Sequence, residues 1–120
     1  MDDKIKQGEY VICGGDFNHD LLGNSAELLN ANGKDEFGWA QPFPKELIPK
    51  DITMCIDYAD KQLVPTSRNC DIAYIKGETY VVIIDGFFIS SNVELVKVQN
   101  MDTQFAFSDH NPVLLQFKLK

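Results

Sequence analysis

Basic residues are scarce in this chain, which has 11 Lys and Arg against 18 Asp and Glu and a formal net charge of −7. A protein that binds nucleic acid on its own usually carries a basic face that displaces counterions from phosphates. The acidic balance therefore argues against a free-standing nucleic-acid binder. Most of the acidic residues are expected to be solvated surface, and a few carboxylates are candidates to hold a divalent cation.

Cysteine is scarce as well, and long apolar runs are absent. Cys13, Cys55 and Cys70 have spacings that match neither a zinc knuckle nor a redox CxxC pair, so we expect buried or half-buried free thiols in a reducing compartment. The N-terminal residues lack the apolar segment of a signal peptide, and the chain contains no run of about 18 consecutive apolar residues. The sequence therefore predicts neither a signal peptide nor a transmembrane span, and a cytoplasmic location if residues 1–120 are the whole protein.

Apolar residues make up 44% of the 120 residues, which is enough to bury the core of one domain. The apolar run at residues 10–13 predicts a buried strand, and Gly14 with Gly15 predicts a tight turn after it. Asn24 or Ser25 is placed to cap a helix over residues 26–30. A strand, a turn and a helix are thus expected to open the domain.

The rest of the chain is predicted to change from loop to strands. Prolines between residues 34 and 50 favour a loop with at most one helical turn near 45–48, and a second helix is predicted at 53–61. Apolar and alternating segments then predict strands, of which the last alternates most clearly. These strands are expected at residues 70–75, 80–90, 93–98 and 112–119. The pattern indicates an α+β domain with a mostly antiparallel sheet.

Polar groups stand at the ends of three predicted strands. The segments are Gly14-Gly15-Asp16-Phe17-Asn18, residues 84–90 (IDGFFIS), and Ser108-Asp109-His110. Strand ends are where a sheet can bring polar side chains together in one cleft. Hydrolysis at phosphorus needs an aligned nucleophile, neutralisation of the phosphate oxygens and support for the leaving oxygen. Carboxylates, an amide and an imidazole are suitable groups for these tasks.

In this order, the three motifs resemble the C-terminal signature of the endonuclease/exonuclease/phosphatase superfamily, which has the fold of deoxyribonuclease I. The resemblance covers roughly residues 10–119. It implies half of a four-layer α/β/β/α sandwich, with one or two helices on one face of a mostly antiparallel sheet. Residues 1–120 would form a single C-terminal portion of the domain, without its N-terminal half. The implied activity is phosphoester hydrolysis dependent on Mg²⁺ or Mn²⁺, as a phosphodiesterase, nuclease or phosphatase.

The same resemblance implies a role for five residues. Asp16 looks like the acid that orients or deprotonates the attacking water, and Asn18 like a donor to the phosphate oxygens. Asp109 resembles a carboxylate next to the metal, with Asp16 as the second metal ligand. His110 resembles the residue that contacts the scissile phosphate, and Asp85 the partner that fixes its ring. Asp16 and Asn18 could instead only stabilise a turn.

Other candidate residues have weaker support. The Arg68 guanidinium could bind phosphate in a bidentate manner. That Arg68 is only a surface residue without this role is an equally supported alternative. His19 is expected to be a surface histidine rather than a metal ligand. Trp39 and Phe43 could wall a cleft, but aromatic packing under the long loop is favoured.

The N-terminal half of this family supplies an Asn, a metal-binding Glu and central Tyr or His residues, and none of them is matched here. We therefore expect the chain alone to be inactive or weakly active. The expected partners are the missing half-domain, a phosphoester substrate (nucleic acid, phospholipid or small molecule), and a second copy docked on the exposed sheet face. A non-catalytic interaction module that keeps the fold is the alternative function.

Overall fold

A computed structural model describes residues 7–30, 41–58, 63–70 and 73–120. Within these ranges the chain forms seven strands, one α-helix and one 3-10 turn. They are β1 (Ile12–Asp16), α1 (Ser25–Leu29), the 3-10 turn (Lys45–Leu47), β2 (Ile52–Cys55), β3 (Ser67–Arg68), β4 (Val81–Val82), β5 (Asp85–Ser90), β6 (Val93–Asn100) and β7 (Val113–Leu119). Every strand pair is antiparallel, and an α-helix is present beside the sheets, so the α+β class is confirmed.

The strands form three small sheets rather than one. β5 is the centre of a three-stranded sheet in the order β1-β5-β2, while β3 pairs with β4 and β6 pairs with β7. The register of β1 on β5 runs from Ile12 opposite Ile89 to Asp16 opposite Asp85. Two of the motif acids therefore face each other at the end of this sheet.

The β6–β7 hairpin packs on one face of the three-stranded sheet. Cys55, Ile89 and Val93 form a buried cluster, and partly buried apolar side chains pack against it. Leu115 from the alternating β7 segment is among them, so the predicted strand is confirmed and its first half faces the core. Farther along β7, Phe117 and Leu119 are exposed.

A second cluster lies under α1, where Ala26 packs with Tyr80, Val82 and Ile84. The helix is confirmed, but its cap is not the expected one. Asn24 occupies the N-cap position without a side-chain cap hydrogen bond. Instead, the backbone N–H of Ala26 donates to Oδ2 of the buried Asp20, at 3.1 Å.

The strand predicted over residues 80–90 is two strands separated at Ile83 and Ile84. At these two residues, side chains distant in the sequence accept hydrogen bonds from the backbone N–H groups. The N–H of Ile83 donates to Ser25 Oγ at 3.0 Å, and the N–H of Ile84 donates to Thr66 Oγ1 at 2.9 Å. Because these amides are already bonded, the ladder is interrupted and β4 and β5 belong to different sheets.

Two other predicted elements are wrong in the described residues. Residues 52–55 form β2 where a helix was expected from residue 53, since β5 offers this β-branched segment a strand partner. Residues 59–61 of that predicted helix lie outside the described residues. Of the strand predicted at 70–75, residues 70 and 73–75 are not in a strand, and residues 71–72 lie outside the description.

β1 is shifted toward the C-terminus relative to the predicted strand at residues 10–13, and it is exposed where a buried strand was expected. Gly14 and Gly15 lie within the strand and not in a turn after it, and all five residues are exposed. The reason is that β1 is the edge of its sheet, with β5 on one side only. Gly14 does meet a close neighbour, because a Cβ at this position would overlap the Phe87 ring.

All three cysteines are free thiols as predicted, but the expected burial is confirmed only for Cys55 and is wrong for Cys13 and Cys70. Cys13 and Cys70 are exposed free thiols, and Cys55 is a buried one. Burial raises the pKa of the Cys55 thiol above its ordinary value, because the thiolate would lose its hydration there. Among the residues described, no helix reaches the length and apolarity that crossing a bilayer requires.

Candidate active site

His110 and Asp85 form a hydrogen-bonded pair. The Nδ1–H of His110 donates to Asp85 Oδ2 at 2.9 Å, and the two side chains are 32% and 15% exposed. A carboxylate only accepts hydrogen bonds, so this contact assigns the ring hydrogen to Nδ1. The more buried Asp85 thus orients an imidazole whose other edge is open.

Asp16 stands on the other side of the same ring. Its Oδ2 lies 3.7 Å from His110 Nε2, and its side chain is 38% exposed. That distance exceeds a hydrogen bond, so a protonated Nε2 can still donate to another acceptor. Asp16 is opposite Asp85 in the β1–β5 register, so His110 sits beside two facing carboxylates.

Two chain segments pair to place His110. The N–H of Asn111 donates to the Thr66 carbonyl at 2.8 Å, and the N–H of Arg68 donates to the Asp109 carbonyl at 3.0 Å. Between these bonds, Ser67 and His110 form an antiparallel bridge. The imidazole is therefore held by a short backbone ladder and not by a free loop.

Thr66 supports Asp85 and was missed by the sequence reasoning. Its side chain is fully buried, and its Oγ1 accepts from the N–H groups of Ile84 and Asp85 at 2.9 and 3.1 Å. The hydroxyl also hydrogen-bonds the Asp85 side chain, which favours the carboxylate. A lone Thr after a proline gives no sequence signal for such a role.

Asn111 was also missed, although it directly follows the Ser108-Asp109-His110 motif. The side chain is buried, and Nδ2 donates to the Pro65 carbonyl at 2.9 Å. Its Oδ1 accepts from Thr103 Oγ1 at 2.7 Å and from the N–H of Phe105 at 3.3 Å. Its place directly after the motif is the signal that could have identified it.

The remaining candidates lie around this core. Asn18 is exposed with φ 54°, and its N–H donates to Asp16 Oδ1 at 2.8 Å, so the turn geometry considered for these two residues is present. Asp109 is half-buried and accepts from Ser108 Oγ at 3.3 Å. Arg68 donates from Nη1 to the Asn69 carbonyl at 3.0 Å. The structure thus brings Asp16, Asp85 and His110 together, with the others at the margin.

The aromatic residues near β1 confirm the expected packing for Phe43. Its ring packs with Phe17 and Phe88, at centroid distances of 6.5 and 5.3 Å. His19 is half-buried, with its ring centroid 6.0 Å from that of Phe43, so only part of the side chain is at the surface. Trp39 lies outside the described residues.

The environment raises the pKa of both members of the central pair. Burial raises the pKa of Asp85, against the opposing hydrogen bonds from His110 and Thr66. For His110, burial favours the neutral ring, but the hydrogen bond and charge of Asp85, with the charges of Asp109 and Asp16, outweigh it and raise the pKa. Three carboxylates therefore favour the imidazolium form of His110.

The chemistry of the donors decides which of them suits a hard cation. Asp16, Asp85 and His110 each offer one atom within 4.8 Å of the others. Mg²⁺ prefers oxygen ligands to ring nitrogens. The exposed Asp16 carboxylate is therefore the member of this group that best suits such an ion. Asp109 is not in this group, and its expected role as a metal ligand stays a prediction.

Comparison of the chain with protein-family models, with curated proteins and with solved structures returned no match. The family resemblance therefore rests on the three motifs and stays a prediction.

Proposed function

We propose that this chain is part of a phosphoester hydrolase of the endonuclease/exonuclease/phosphatase type, dependent on Mg²⁺ or Mn²⁺, and forms half of its four-layer sandwich. The observation that carries the proposal is the Asp85–His110 pair with Asp16 on the other ring nitrogen. The three side chains come from the three sequence motifs, each at a strand end or just before a strand. An imidazolium flanked by an exposed carboxylate suits phosphate chemistry.

His110 binds the phosphate in this proposal. Its Nε2–H donates to a non-bridging oxygen and places positive charge next to the phosphorus centre. Asp85 keeps the ring in this orientation through the bond to Nδ1, and Thr66 fixes the backbone of Asp85. Asp85 is thus a positioning residue, since it acts through the imidazole.

Asp16 orients the attacking water and accepts its proton, because it is the exposed carboxylate of the cluster. Asn18 lies at the same turn, where an amide can donate to phosphate without adding charge. Mg²⁺ or Mn²⁺, held by Asp16 and Asp109, would supply Lewis-acid neutralisation of the phosphate oxygens. Arg68 is a weaker candidate for phosphate binding, because its Nη1 already donates a hydrogen bond to the Asn69 carbonyl.

The test is hydrolysis of bis(p-nitrophenyl) phosphate by the purified chain with Mg²⁺ or Mn²⁺, alone and with His110→Gln or Asp109→Ala. We expect slow, metal-dependent turnover that either substitution lowers by about 100-fold or more, the usual contribution of such groups. Glu27→Ala, on the exposed side of α1, is the matched control.

Binding of phosphate tests the same site without turnover. Inorganic phosphate should shift the His110 ring signals in an NMR titration, and His110→Gln should weaken that binding. A chain that neither binds phosphate at His110 nor hydrolyses the diester would be the non-catalytic module instead.

A further inference from the structure

The loop before the Ser108-Asp109-His110 motif is built around a buried aromatic side chain. Gln104 and Phe105 are consecutive residues with positive φ, 53° and 56°, a conformation that costs energy in residues other than glycine. Phe105 is buried, and its ring packs on Tyr74 at a centroid distance of 4.8 Å. Asn111 holds the loop from inside, through the N–H of Phe105 and the hydroxyl of Thr103.

This anchored loop presents Phe107 to solvent. The Phe107 side chain is 89% exposed, more than any other large hydrophobic side chain in the described residues. Two residues separate Phe107 from His110, so their Cα atoms are at most about 11 Å apart. The exposed Phe107 ring is thus carried by the loop that leads directly into His110.

We propose that Phe107 is a substrate-binding residue that selects phosphoesters whose organic group is a flat aromatic ring. The inference rests on the proposed function and deepens it, because it names the substrate class of the same site. The ring stacks on the aromatic group while His110 holds the phosphate. Stacking is favourable because it buries apolar surface of Phe107 that is otherwise exposed to water.

Charge favours a small substrate over a polymer or a membrane. The chain has a net charge of −7, and Asp102 and Asp109 flank the loop that carries Phe107. A nucleic-acid strand or an anionic lipid surface would bring many negative charges to this face and be repelled. A phosphoester with one aromatic group brings a single phosphate, whose charge is partly offset by the His110 imidazolium.

The test compares three ligands of equal charge on the full chain in Mg²⁺ buffer: phenyl, cyclohexyl and methyl phosphate. Dissociation constants come from NMR shifts of backbone amides. We expect phenyl phosphate to bind about fivefold more tightly than methyl phosphate, a typical aromatic-pair contribution, with cyclohexyl phosphate between them. Phe107→Ala should abolish the preference and leave methyl phosphate binding unchanged, while Phe107→Trp should keep it.

Leu28→Ala is the matched control, because Leu28 is an exposed apolar residue on α1. A phenyl preference that survives Phe107→Ala would overturn the inference. If methyl phosphate binding still depends on His110 in that case, the proposed function stands without it. If no phosphoester binds at His110, both proposals fail together.

Discussion

At the residue scale, His110 separates two carboxylates that the sheet brings face to face. Asp16 and Asp85 are opposite each other in the β1–β5 register, an arrangement that destabilises a sheet when both are charged. The imidazolium of His110 offsets this repulsion, with Asp85 at 2.9 Å and Asp16 at 3.7 Å. The same contacts that serve the proposed chemistry therefore make stability depend on pH.

The first prediction concerns the pH dependence of the Asp85–His110 interaction. The pKa of His110 is raised above its ordinary 6.5, so the ion pair is fully present below that pH and is lost as pH rises through the folded-state pKa. A double-mutant cycle with Asp85→Asn and His110→Gln, measured by urea unfolding, should give a coupling of about 1 kcal/mol at pH 6 and less at pH 9.

The coupling should also fade in acid, because burial raises the pKa of Asp85 above its ordinary 3.8 and the carboxylate is then protonated. A coupling that is equal at pH 6 and pH 9 would show that the pair is only a neutral hydrogen bond.

At the scale of elements, α1 depends on a carboxylate from outside the helix. Only five residues long, it cannot be stable by propensity alone. Asp20 accepts from the N–H groups of Gly23 and Ala26 at 2.9 and 3.1 Å, while Ser25 and Asn30 bind the backbone of the neighbouring strand segment. Side chains at the two ends of α1 therefore accept hydrogen bonds from backbone N–H groups of β4 and the residue after it, which have no strand partner on this side among the described residues.

The second prediction follows from this cap. Asp20→Ala should lower the free energy of unfolding by about 2 kcal/mol, because two backbone N–H groups lose their acceptor. Asp20→Asn should cost less, since an amide oxygen can keep one bond. Thermal or urea unfolding provides the measurement, and Glu27→Ala on the exposed side of α1 should have little effect. Equal stability of Asp20→Ala and the wild type would contradict the cap.

At the scale of the whole molecule, one apolar face of the β6–β7 hairpin is only partly covered. Val98 and Leu115 pack toward the core cluster, but the next cross-strand pair, Leu95 and Phe117, is exposed. Leu119 is exposed beside them. Exposed apolar surface of this kind favours association.

The third prediction is that this face is an association surface, for a second copy of the chain or for the expected missing half-domain. Sedimentation equilibrium should show a dimer whose affinity increases with salt, because screening weakens the repulsion between two chains of charge −7. Phe117→Ser should shift the equilibrium to monomer, and Leu28→Ser on α1 should not. A wild-type chain that is monomeric at high concentration would exclude the second copy.

Local patterns were sufficient to predict several parts of the molecule. The alternation of residues 112–119 predicted β7, and the helix predicted at residues 26–30 matches α1 to within one residue at each end. The motifs contained Asp16, Asp85 and His110, which do meet. These features are predictable because periodicity and turn residues act over a few positions of the chain.

Contacts between distant residues were decided only by the tertiary structure. Thr66 bonds the Asp85 backbone across 19 positions, and Asn111 bonds the Pro65 carbonyl across 46. Bonds of this kind interrupt the long predicted strand at Ile83 and Ile84. Pairing with β5 likewise makes residues 52–55 a strand, β2, where a second helix was predicted. The sequence by itself determined which chemical groups are available, while pairing register determined which of them touch, because hydrogen bonds between distant segments leave no local pattern.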